Sequence, residues 1–362
     1  MKNEAFHIAT FPGDGIGLEV TQSAIAVMDA AARKVGGLAF RYEELAGGAG
    51  AYRDTGVALA DEDFERAKAA DAILFGAMGL PDVRYPDGTE IAPQLDLRFR
   101  LELYAGVRPI KALPGGFHAL ADPRAADIDL VLIRESTEGL FASRGKGVVE
   151  NDAEARDTMV ITRAVSERLF DFSFRLAQRR RERGGKGVVT CVDKANVFTS
   201  MAFFRKVFDE RAAAFPDIEA RHHYVDATAL DLVRRPWDFD VMVTENMFGD
   251  ILSDLCAALV GGMGMAPSGD IGDEHGLFQP AHGSAPDIAG QGIANPIAMV
   301  QSAALMLDWL GEKHNEPTCV EAAGLIDAAV NQLLVDGSVR PVDLGGSSGT
   351  AEITRALVEA IG

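Results

Sequence analysis

Short apolar runs alternate with longer segments of helical periodicity along most of the chain. The apolar runs that predict buried strands are residues 6–11, 71–76, 129–134, 187–192 and 239–244. After the first run, apolar positions recur with the helical period over residues 18–35. Strands that alternate with helices predict an α/β architecture. Polar residues begin where each run ends, so we expect functional residues beyond the carboxyl ends of these strands.

The length of 362 residues predicts about two domains of ~150 residues each. Candidate boundaries lie near residues 106–109 and 261–264, where glycines and a proline interrupt the pattern. These boundaries divide the chain into a discontinuous domain, residues 1–104 and 261–362, and an inserted domain, residues 105–260.

The net charge of the chain disfavours some classes of binding partner. With 54 acidic and 35 basic residues the net charge is −19, so we expect neither nucleic acid nor an anionic membrane surface as a partner. A small anionic substrate is compatible with this charge, because local arginines override the overall field. The three cysteines form no CxxC pair, which disfavours disulfides and a cysteine zinc site. No apolar run reaches the ~18 residues of a membrane span, and Glu4 disfavours a secretory segment, so we expect a cytoplasmic protein.

The turn PGDGIG at residues 12–17 follows a predicted strand and precedes a predicted helix. It differs from the dinucleotide fingerprint GxGxxG, because Leu18 stands where that fingerprint has its next glycine. A nucleotide-binding turn and a plain tight turn both fit this segment.

Two acids are spaced for one face of a helix. Asp250 and Asp254 are four residues apart in FGDILSD, so their carboxylates repel unless a cation lies between them. Carboxylate oxygens suit Mg²⁺ or Mn²⁺. Asp226, which follows a strand-like run, could complete such a site. The alternative is a solvated acidic face, although apolar neighbours such as Leu252 favour a half-buried helix.

Basic residues mark the ends of other predicted elements. Lys194 follows the run 187–192 and is either a surface cation or an amine that burial beside a metal would convert into a general base. Arg98, Arg108 and Arg134 lie at similar junctions. Arginine binds carboxylates through a planar fork, so three of them near a cation suit a substrate with at least two carboxylates. Each arginine alone is equally compatible with an ordinary salt bridge.

The segment 279–296 is dense in Gly, Pro, Ala and Asn, which predicts a loop with defined turns. His282, Asp287 and Asn295 offer stacking and hydrogen bonds to a purine nucleotide. Asp287 could accept hydrogen bonds from ribose hydroxyls and would repel a 2′-phosphate. Once nucleotide binding is granted, this loop predicts NAD rather than NADP.

Taken together, these motifs resemble the β-decarboxylating dehydrogenases, a family that includes isopropylmalate, isocitrate, homoisocitrate, and tartrate or D-malate dehydrogenases. The motifs that carry the resemblance are PGDGIGLEV, FGAMGLP, LRFRLELYAGVRPIK, RESTEG, VDKANV, TENMFGDILSDL and HGSAPDIAGQGIANP. They span nearly the whole chain. The resemblance implies an isopropylmalate dehydrogenase-like α/β fold with a non-Rossmann NAD site. It also implies a homodimer whose active site is shared between subunits.

The resemblance assigns roles residue by residue. The acids that correspond to ligands of Mg²⁺ or Mn²⁺ are Asp226, Asp250 and Asp254. The residues that correspond to the pocket for a di- or tricarboxylate hydroxy acid are Arg98, Arg108, Arg134, Gln94 and Leu95. The residues that correspond to NAD contacts are Gly79, Gln279, His282, Gly283, Ser284, Ala285, Asp287, Ile288 and Asn295. Lys194, supplied with Asp226 by the other subunit, corresponds to the group that takes the hydroxyl proton.

The sequence departs from the family pattern at three places. Phe141 stands where most members have a tyrosine thought to protonate the enolate that remains after loss of CO₂. We therefore expect decarboxylation to be slow, rerouted through water, or absent. Gln279 replaces an acid near the nicotinamide, and Gln94 and Leu95 replace two leucines of isopropylmalate enzymes. The substrate within the family stays open.

Three functions of different classes fit these patterns. The leading one is an NAD- and metal-dependent dehydrogenase of a malate-type (2R)-hydroxy acid such as 3-isopropylmalate, D-malate or tartrate, with isocitrate and homoisocitrate as alternatives. The second is a non-catalytic regulatory subunit, which Phe141 and Gln279 favour and the retained acids, arginines and Lys194 disfavour. The third, a metal-dependent phosphate-ester enzyme, would need a GxxxxGK[ST] loop that the sequence lacks.

Overall fold

The computed structural model describes residues 5–362. Glu4, which entered the argument about a secretory segment, lies outside the described residues. The strands are β1 (Phe6–Gly13), β2 (Phe40–Glu44), β3 (Ala72–Ala77), β4 (Ala105–Lys111), β5 (Asp129–Glu135), β6 (Val148–Glu150), β7 (Glu154–Arg156), β8 (Val188–Asp193), β9 (Glu219–Tyr224), β10 (Val241–Thr244), β11 (Pro267–Ile271) and β12 (Gly276–Pro280). The α-helices are α1 (Gly17–Val35), α2 (Ala49–Thr55), α3 (Asp61–Lys68), α4 (Pro93–Arg100), α5 (Arg163–Glu182), α6 (Thr199–Ala212), α7 (Val225–Arg234), α8 (Asn246–Leu259), α9 (Ile297–His314), α10 (Pro317–Asp336) and α11 (Thr350–Ile361).

The sequence predictions of secondary structure are confirmed where they were made. The five predicted strands are β1, β3, β5, β8 and β10, and the predicted helix is α1. One correction concerns Gln279, which was predicted to open a loop and instead lies in strand β12.

Ten strands form one sheet in the order β2-β1-β3-β12-β11-β4-β5-β10-β8-β9. The strands on each side are parallel, but β11 is antiparallel to both of its neighbours and β4 is antiparallel to β5. The two halves of the sheet therefore run in opposite directions. The carboxyl ends of β1 and β3 therefore lie at the opposite end of the sheet from those of β5, β8 and β10.

Helices cover both faces of the sheet, and strand residues alternate between them. On one face a continuous apolar core joins the strands to α1, α5, α6, α9, α10 and α11. On the other face the core is divided: α3 and α4 pack over β1, β3 and β12, whereas α7 and α8 pack over β5, β8 and β10. Between these two groups of helices, the side chains of the central strands on this face are polar, which leaves room for a site.

The predicted domain division crosses this sheet. Strand β11, which follows residue 261, pairs with β4, which begins the predicted insertion at Ala105. The sheet is therefore continuous at the predicted boundary, and the division into residues 1–104 with 261–362 and residues 105–260 stays a prediction.

Helix α10 bears on the prediction that no apolar run is long enough to span a membrane. Among residues 5–362 it is the one helix whose length and composition would suffice to span a membrane, with a mean hydropathy of 1.3. It packs against α1, α9 and α11, and buried core helices meet the same criterion.

Candidate active site

A cleft of about 350 Å³ lies on the divided face, between the α4 and α8 sides. The predicted site residues that line it are Gln94, Leu95, Arg98, Arg108, Arg134, Phe141, Asp250, Asp254, Gln279, His282 and Gly283. A second cavity, of about 480 Å³, lies among β4, α5, α9 and α10 and is lined by none of the predicted site residues. The cleft therefore gathers most of the predicted chemistry from distant parts of the sequence.

Strand register explains why polar groups meet on the cleft floor. Asp270 on β11 is opposite Leu277 on one side and Gly106 on the other, and Gly106 is opposite Arg134. Residues paired in this way share one face of a sheet, so Asp270 and Arg134 face the cleft together with Arg108. Arg108 lies in the middle of β4, which corrects the expectation that it marks the end of an element.

Asp270 is a site residue that the sequence analysis missed. It is fully buried, and its carboxylate accepts hydrogen bonds from Arg98 Nε at 2.9 Å and from Arg108 Nη2 at 3.2 Å. Burial raises the pKa of Asp270, but Arg98, Arg108 and Arg134 outweigh burial and hold that pKa below its usual range. The signal in the sequence was an acid inside the short stretch PSGDIG, whose alternate residues Ser268 and Asp270 are polar.

Arg134 is held in place by the start of α8. Its Nε donates to Asn246 Oδ1 at 2.9 Å, and its Nη1 forms an ion pair with Asp250. Burial, followed by repulsion from Arg98, lowers the pKa of Arg134 to about 10. The ring of Phe141, in the turn after β5, lies 5.0 Å from the guanidinium carbon of Arg134. Asn246 is a second positioning residue that the sequence analysis missed.

Asp250 and Asp254 fit a divalent cation as a partial ligand set. They lie on one side of α8, whose first amides are capped by the side chain of Glu245. Burial and the neighbouring charge of Asp250 raise the pKa of Asp254, which is the repulsion that a cation would relieve. Among residues 5–362 no group of three or more His, Cys, Asp and Glu side chains is arranged to hold a metal. Asp250 and Asp254 are therefore the two predicted ligands that one chain brings to the cleft.

Lys194 and Asp226 lie apart from this cleft in the same chain. Lys194 follows β8, and Asp226 lies in the first turn of α7, after β9. Their side chains form an ion pair with Nζ 2.5 Å from Oδ1, and this hydrogen bond lowers the pKa of Asp226. Neither residue lines the cleft. One chain therefore does not assemble the complete predicted set.

The PGDGIG turn is organised by its own acid. Asp14 is buried, and its carboxylate accepts hydrogen bonds from the backbone amides of Ala49, Gly50 and Gly79, each at 2.8 Å. Amides of the turn itself are also paired, since Asp14 N donates to the carbonyl of Ala77, Ile16 N to that of Ser284 and Gly17 N to that of Asp14, which favours an internally bonded turn over a phosphate loop. Asp14 is a further residue that the sequence analysis missed.

The predicted nucleotide loop packs against this turn. Ser284 donates through Oγ to the carbonyl of Gly79, and its own carbonyl accepts from the amide of Ile16 at 2.8 Å. Ala285 has a φ of 37°, an uncommon conformation for a residue with a Cβ. Ala285 and Ile288 pack against the core, whereas Asp287 is exposed. The loop is thus anchored on one side and open on the other.

Two residues of this loop differ in their availability to a ligand. His282 Nε2 is buried with no hydrogen-bond partner among the described residues, and burial lowers the pKa of the ring. Beside it, no atom would meet a Cβ at Gly283 within 4 Å. An orphaned ring nitrogen next to open space fits a hydrogen-bonding ligand such as an adenosine. Asn295 is buried, and its side chain already pairs with Asp343 and the amide of Ile297.

Comparisons with known proteins agree with this cleft and fold. Residues 7–361 match the family model described as isocitrate/isopropylmalate dehydrogenase. The 3-isopropylmalate/3-methylmalate dehydrogenase of Methanocaldococcus jannaschii is 42% identical over 98% of both chains. The homoisocitrate dehydrogenase of the same organism is 41% identical over 98% of this chain and 97% of its own. The crystal structure of isocitrate dehydrogenase from Methylococcus capsulatus superposes with a TM-score of 0.84 at 36% identity, over 98% of this chain and 99% of the other.

Fold and cleft thus define a decarboxylating oxidoreductase. The chain belongs to the isocitrate/isopropylmalate dehydrogenase family, which confirms the resemblance and the fold class inferred from the sequence.

Proposed function

We propose that the protein is an NAD- and Mg²⁺- or Mn²⁺-dependent decarboxylating dehydrogenase of a malate-type (2R)-hydroxy acid, active as a cytoplasmic homodimer. The observation that carries this proposal is the cleft itself. Three buried arginines line it together with two aspartates, Asp250 and Asp254. Arginine forks bind carboxylates, and paired carboxylates bind hard cations. A hydroxy acid with two carboxylates needs both.

The residues divide the work between them. Arg98, Arg108 and Arg134 hold and orient the carboxylates of the substrate. A divalent cation held by Asp250 and Asp254 would supply Lewis acidity that acidifies the hydroxyl and stabilises the enolate left by loss of CO₂. Lys194 and Asp226 of the partner subunit would together take up the hydroxyl proton: the amine of the partner's Lys194 would accept it as its own proton passes to the carboxylate of the partner's Asp226. The loop around His282 would hold NAD, whose nicotinamide would supply the hydride acceptor.

An exposed apolar surface supports the homodimer. Around Lys194 and Asp226, the exposed large apolar side chains are Val197, Phe198, Leu230 and Val233, and Ile251 on α8 is 63% exposed. Large apolar side chains that are exposed in one chain are often buried in a protein interface. Ile251 directly follows Asp250, so an interface here would bring a partner subunit next to the cation ligands.

The pocket beside Arg98 favours a small or hydroxylated substituent on the substrate. Gln94 and Leu95 line the cleft one helical turn before Arg98, and Gln94 Oε1 is buried with no hydrogen-bond partner among the described residues. A buried, unpaired acceptor is costly, and a substrate hydroxyl would satisfy it. We therefore expect malate or tartrate to compete well with 3-isopropylmalate as a substrate. A substituent that fits the pocket poorly costs ~1–3 kcal/mol of binding free energy.

Two other candidates have specific support. A relative named homoisocitrate dehydrogenase is almost as similar as the one named for 3-isopropylmalate and 3-methylmalate, which keeps isocitrate and homoisocitrate as alternative substrates. A non-catalytic regulatory subunit is disfavoured, because the cleft retains all three arginines and both aspartates.

The test is NADH formation by the purified protein with Mn²⁺ and NAD on D-malate, tartrate, 3-isopropylmalate, isocitrate and homoisocitrate. We expect turnover of at least one dicarboxylate, abolished in Arg98→Met, which keeps an apolar side chain of similar length without the fork. The matched control is Arg100→Met, because Arg100 lies on the same helix as Arg98 but pairs with Asp61 at the surface. Lack of NADH formation on every acid would reject the dehydrogenase proposal.

A further inference from the structure

Asp270 lies beneath the floor of the cleft and contacts three of the side chains that line it. Its Oδ2 accepts hydrogen bonds from Arg98 Nε at 2.9 Å and from Gln279 Nε2 at 3.0 Å, and its Oδ1 accepts one from Arg108 Nη2 at 3.2 Å. The carboxylate has no exposed surface and does not line the cleft. Asp270 therefore acts on a ligand only through these three side chains.

These contacts fix the arginines without using up their donors. Arg108 also donates from Nη1 to the carbonyls of Val107 and Gly269, which sets the plane of its guanidinium. Each guanidinium has five N–H groups, so both Arg98 and Arg108 keep donors for a ligand carboxylate. Asp270 thus orients the forks from below while their free donors serve the cleft.

Asp270 also sets the charge of the cleft. Burial opposes its ionisation, but the three arginines hold the pKa of Asp270 below its usual range, so the carboxylate is charged at neutral pH. Asp270 therefore places one buried negative charge among the three guanidinium groups. The other acids that line the cleft are Glu90, Asp250 and Asp254, and of these Asp250 and Asp254 would hold a divalent cation.

We propose that Asp270 is a positioning residue that gives the cleft its preference for hydroxy acids with two carboxylates over those with three. The inference rests on the proposed function, since it concerns the acid that the cleft oxidises. Each further carboxylate on the substrate would add a negative charge above the buried charge of Asp270, which already offsets part of the positive charge of the arginines, so a third carboxylate is disfavoured relative to two.

The test compares a dicarboxylate, 3-isopropylmalate or D-malate, with the tricarboxylates isocitrate and homoisocitrate. Affinity is measured as KM for NADH formation, or as an inhibition constant where turnover is absent. Asp270→Asn keeps the shape of the side chain and removes its charge. We expect it to improve affinity for tricarboxylates relative to dicarboxylates about tenfold, because one more positive charge acts on one more carboxylate.

A double variant separates charge from packing. Asp270→Asn with Gln279→Glu exchanges the amide and the carboxylate of the hydrogen-bonded pair, so the same net charge stays among the same arginines. We expect the ratio of affinities to return to within about threefold of the wild-type ratio. A purely structural role of Asp270 predicts no opposite effects on the two acid classes and no rescue by this exchange.

The matched control is Asp240→Asn. Asp240 is also a buried acid of the central sheet region and pairs with Arg180 at 2.7 Å, but it lies outside the cleft. It should lower the free energy of unfolding without changing the ratio. An equal shift in Asp240→Asn, an unchanged ratio in Asp270→Asn, or no return in the double variant would each overturn the proposal.

Calorimetric titration of the same acids in the presence of Mn²⁺, without NAD, keeps the two proposals apart. If the wild-type protein forms no NADH from any acid, the dehydrogenase proposal fails, yet the titrations still report the preference between two and three carboxylates. If NADH forms and the titrations show no preference that depends on Asp270, this inference fails alone.

Discussion

Lys194 and Asp226 form an ion pair, with Nζ 2.5 Å from Oδ1, on a surface separate from the cleft that contains Asp250 and Asp254. One chain therefore carries both parts of the predicted catalytic set but holds them apart. A twofold-symmetric dimer resolves this, because each subunit would give its Lys194 and Asp226 to the cleft of its partner. The exposed apolar residues beside the pair are where such an interface would form.

A shared active site predicts complementation between two inactive variants. Lys194→Ala and Asp250→Asn should each abolish NADH formation as homodimers, because each damages both sites. In a mixed dimer one site carries both changes and the other is intact, so random assembly should restore about a quarter of wild-type activity. The measurement is NADH formation by the two chains, which are coexpressed with different tags and purified together so that all dimers from random assembly are retained.

The control pairs Asp250→Asn with Asp254→Asn, since both acids lie in the same cleft. Each mixed site would then have one damaged ligand, and no activity should return. No recovery in either mixture would show that Lys194 acts within its own subunit, and equal recovery in both would contradict a site shared in this way.

Asp250→Asn should weaken cation binding without harming the fold. Asp250 is half-exposed, and its charge raises the pKa of Asp254, so its removal relieves repulsion in the metal-free protein. We expect the Mn²⁺ concentration for half-maximal activity to rise at least tenfold, with the metal-free free energy of unfolding changed by no more than about 1 kcal/mol, because the weakened ion pair with Arg134 offsets the relieved repulsion. Asp336→Asn, at the exposed end of α10, is the matched control. Full activity of Asp250→Asn in limiting Mn²⁺ would remove Asp250 from the cation site.

The sequence predicted those parts of the fold that depend on local pattern. Buried parallel strands such as β3 and β10 are continuous apolar runs, which hydrophobic patterning detects directly. The spacing of Asp250 and Asp254 placed both on one side of a helix, as observed. The motifs shared with the family also named residues that line the cleft, such as Arg98, Arg134 and Gln279.

The central reversal of the sheet was not predictable in the same way. Strands β11 and β12 are short and contain Gly, Pro and polar residues, so they lack the apolar run that identified the others. Because these two strands were not predicted, the antiparallel pairing at the centre of the sheet and the position of Asp270 were not predicted either. Its partners Arg98 and Arg108 are 172 and 162 residues away along the chain. The register of β4 and β11 brings Arg108 to Asp270, and Arg98 reaches it from helix α4.

The cofactor preference should follow the charge of Asp287. This residue is exposed on the open side of the loop that His282 begins. A 2′-phosphate bound there would meet its carboxylate, so we expect kcat/KM to be higher with NAD than with NADP. Asp287→Asn should improve use of NADP about tenfold relative to NAD, because one repulsive charge is removed. Comparable kcat/KM for both cofactors in the wild-type protein would contradict this assignment.

Glu135 should make stability depend on pH. Burial raises its pKa from 4.5 to about 7, despite hydrogen bonds from the amides of Thr137 at 2.6 Å and Glu138 at 2.8 Å. The folded protein therefore binds this proton more tightly than the unfolded chain does. The contribution is complete below pH 4.5 and is lost as the pH rises through 7, by up to about 3 kcal/mol.

The measurement is urea unfolding of the wild-type protein and Glu135→Gln at pH 5 and pH 7.5. The variant cannot lose a proton, so its free energy of unfolding should fall less between the two pH values. It should also be less stable at pH 5 by about 1–3 kcal/mol, because an amide nitrogen would face the Glu138 amide. Glu65→Gln, an exposed change on α3, should retain the wild-type pH dependence. Parallel curves for Glu135→Gln and wild type would refute the assignment.

Phe141 lies where an acid would be expected, and the structure gives it a different contact. Its ring lines the cleft, and its centre lies 5.0 Å from the guanidinium carbon of Arg134, so it packs on one of the arginines that we propose to hold the substrate. A phenyl ring has no proton to give to an enolate. If no other group replaces it, hydride transfer should survive while the protonation that follows loss of CO₂ becomes slow.

Phe141→Tyr tests this directly, because it adds one hydroxyl to a ring that already faces the cleft. A positioned acid contributes ~10²–10⁴-fold, so release of the decarboxylated product should accelerate by at least about tenfold relative to the first hydride transfer. Stopped-flow NADH formation measured beside CO₂ release in a single turnover gives both rates. Phe141→Leu keeps an apolar side chain without the hydroxyl and should leave their ratio unchanged. If Phe141→Tyr also leaves that ratio unchanged, Phe141 serves only to pack on Arg134, and the enolate takes its proton from water or another side chain.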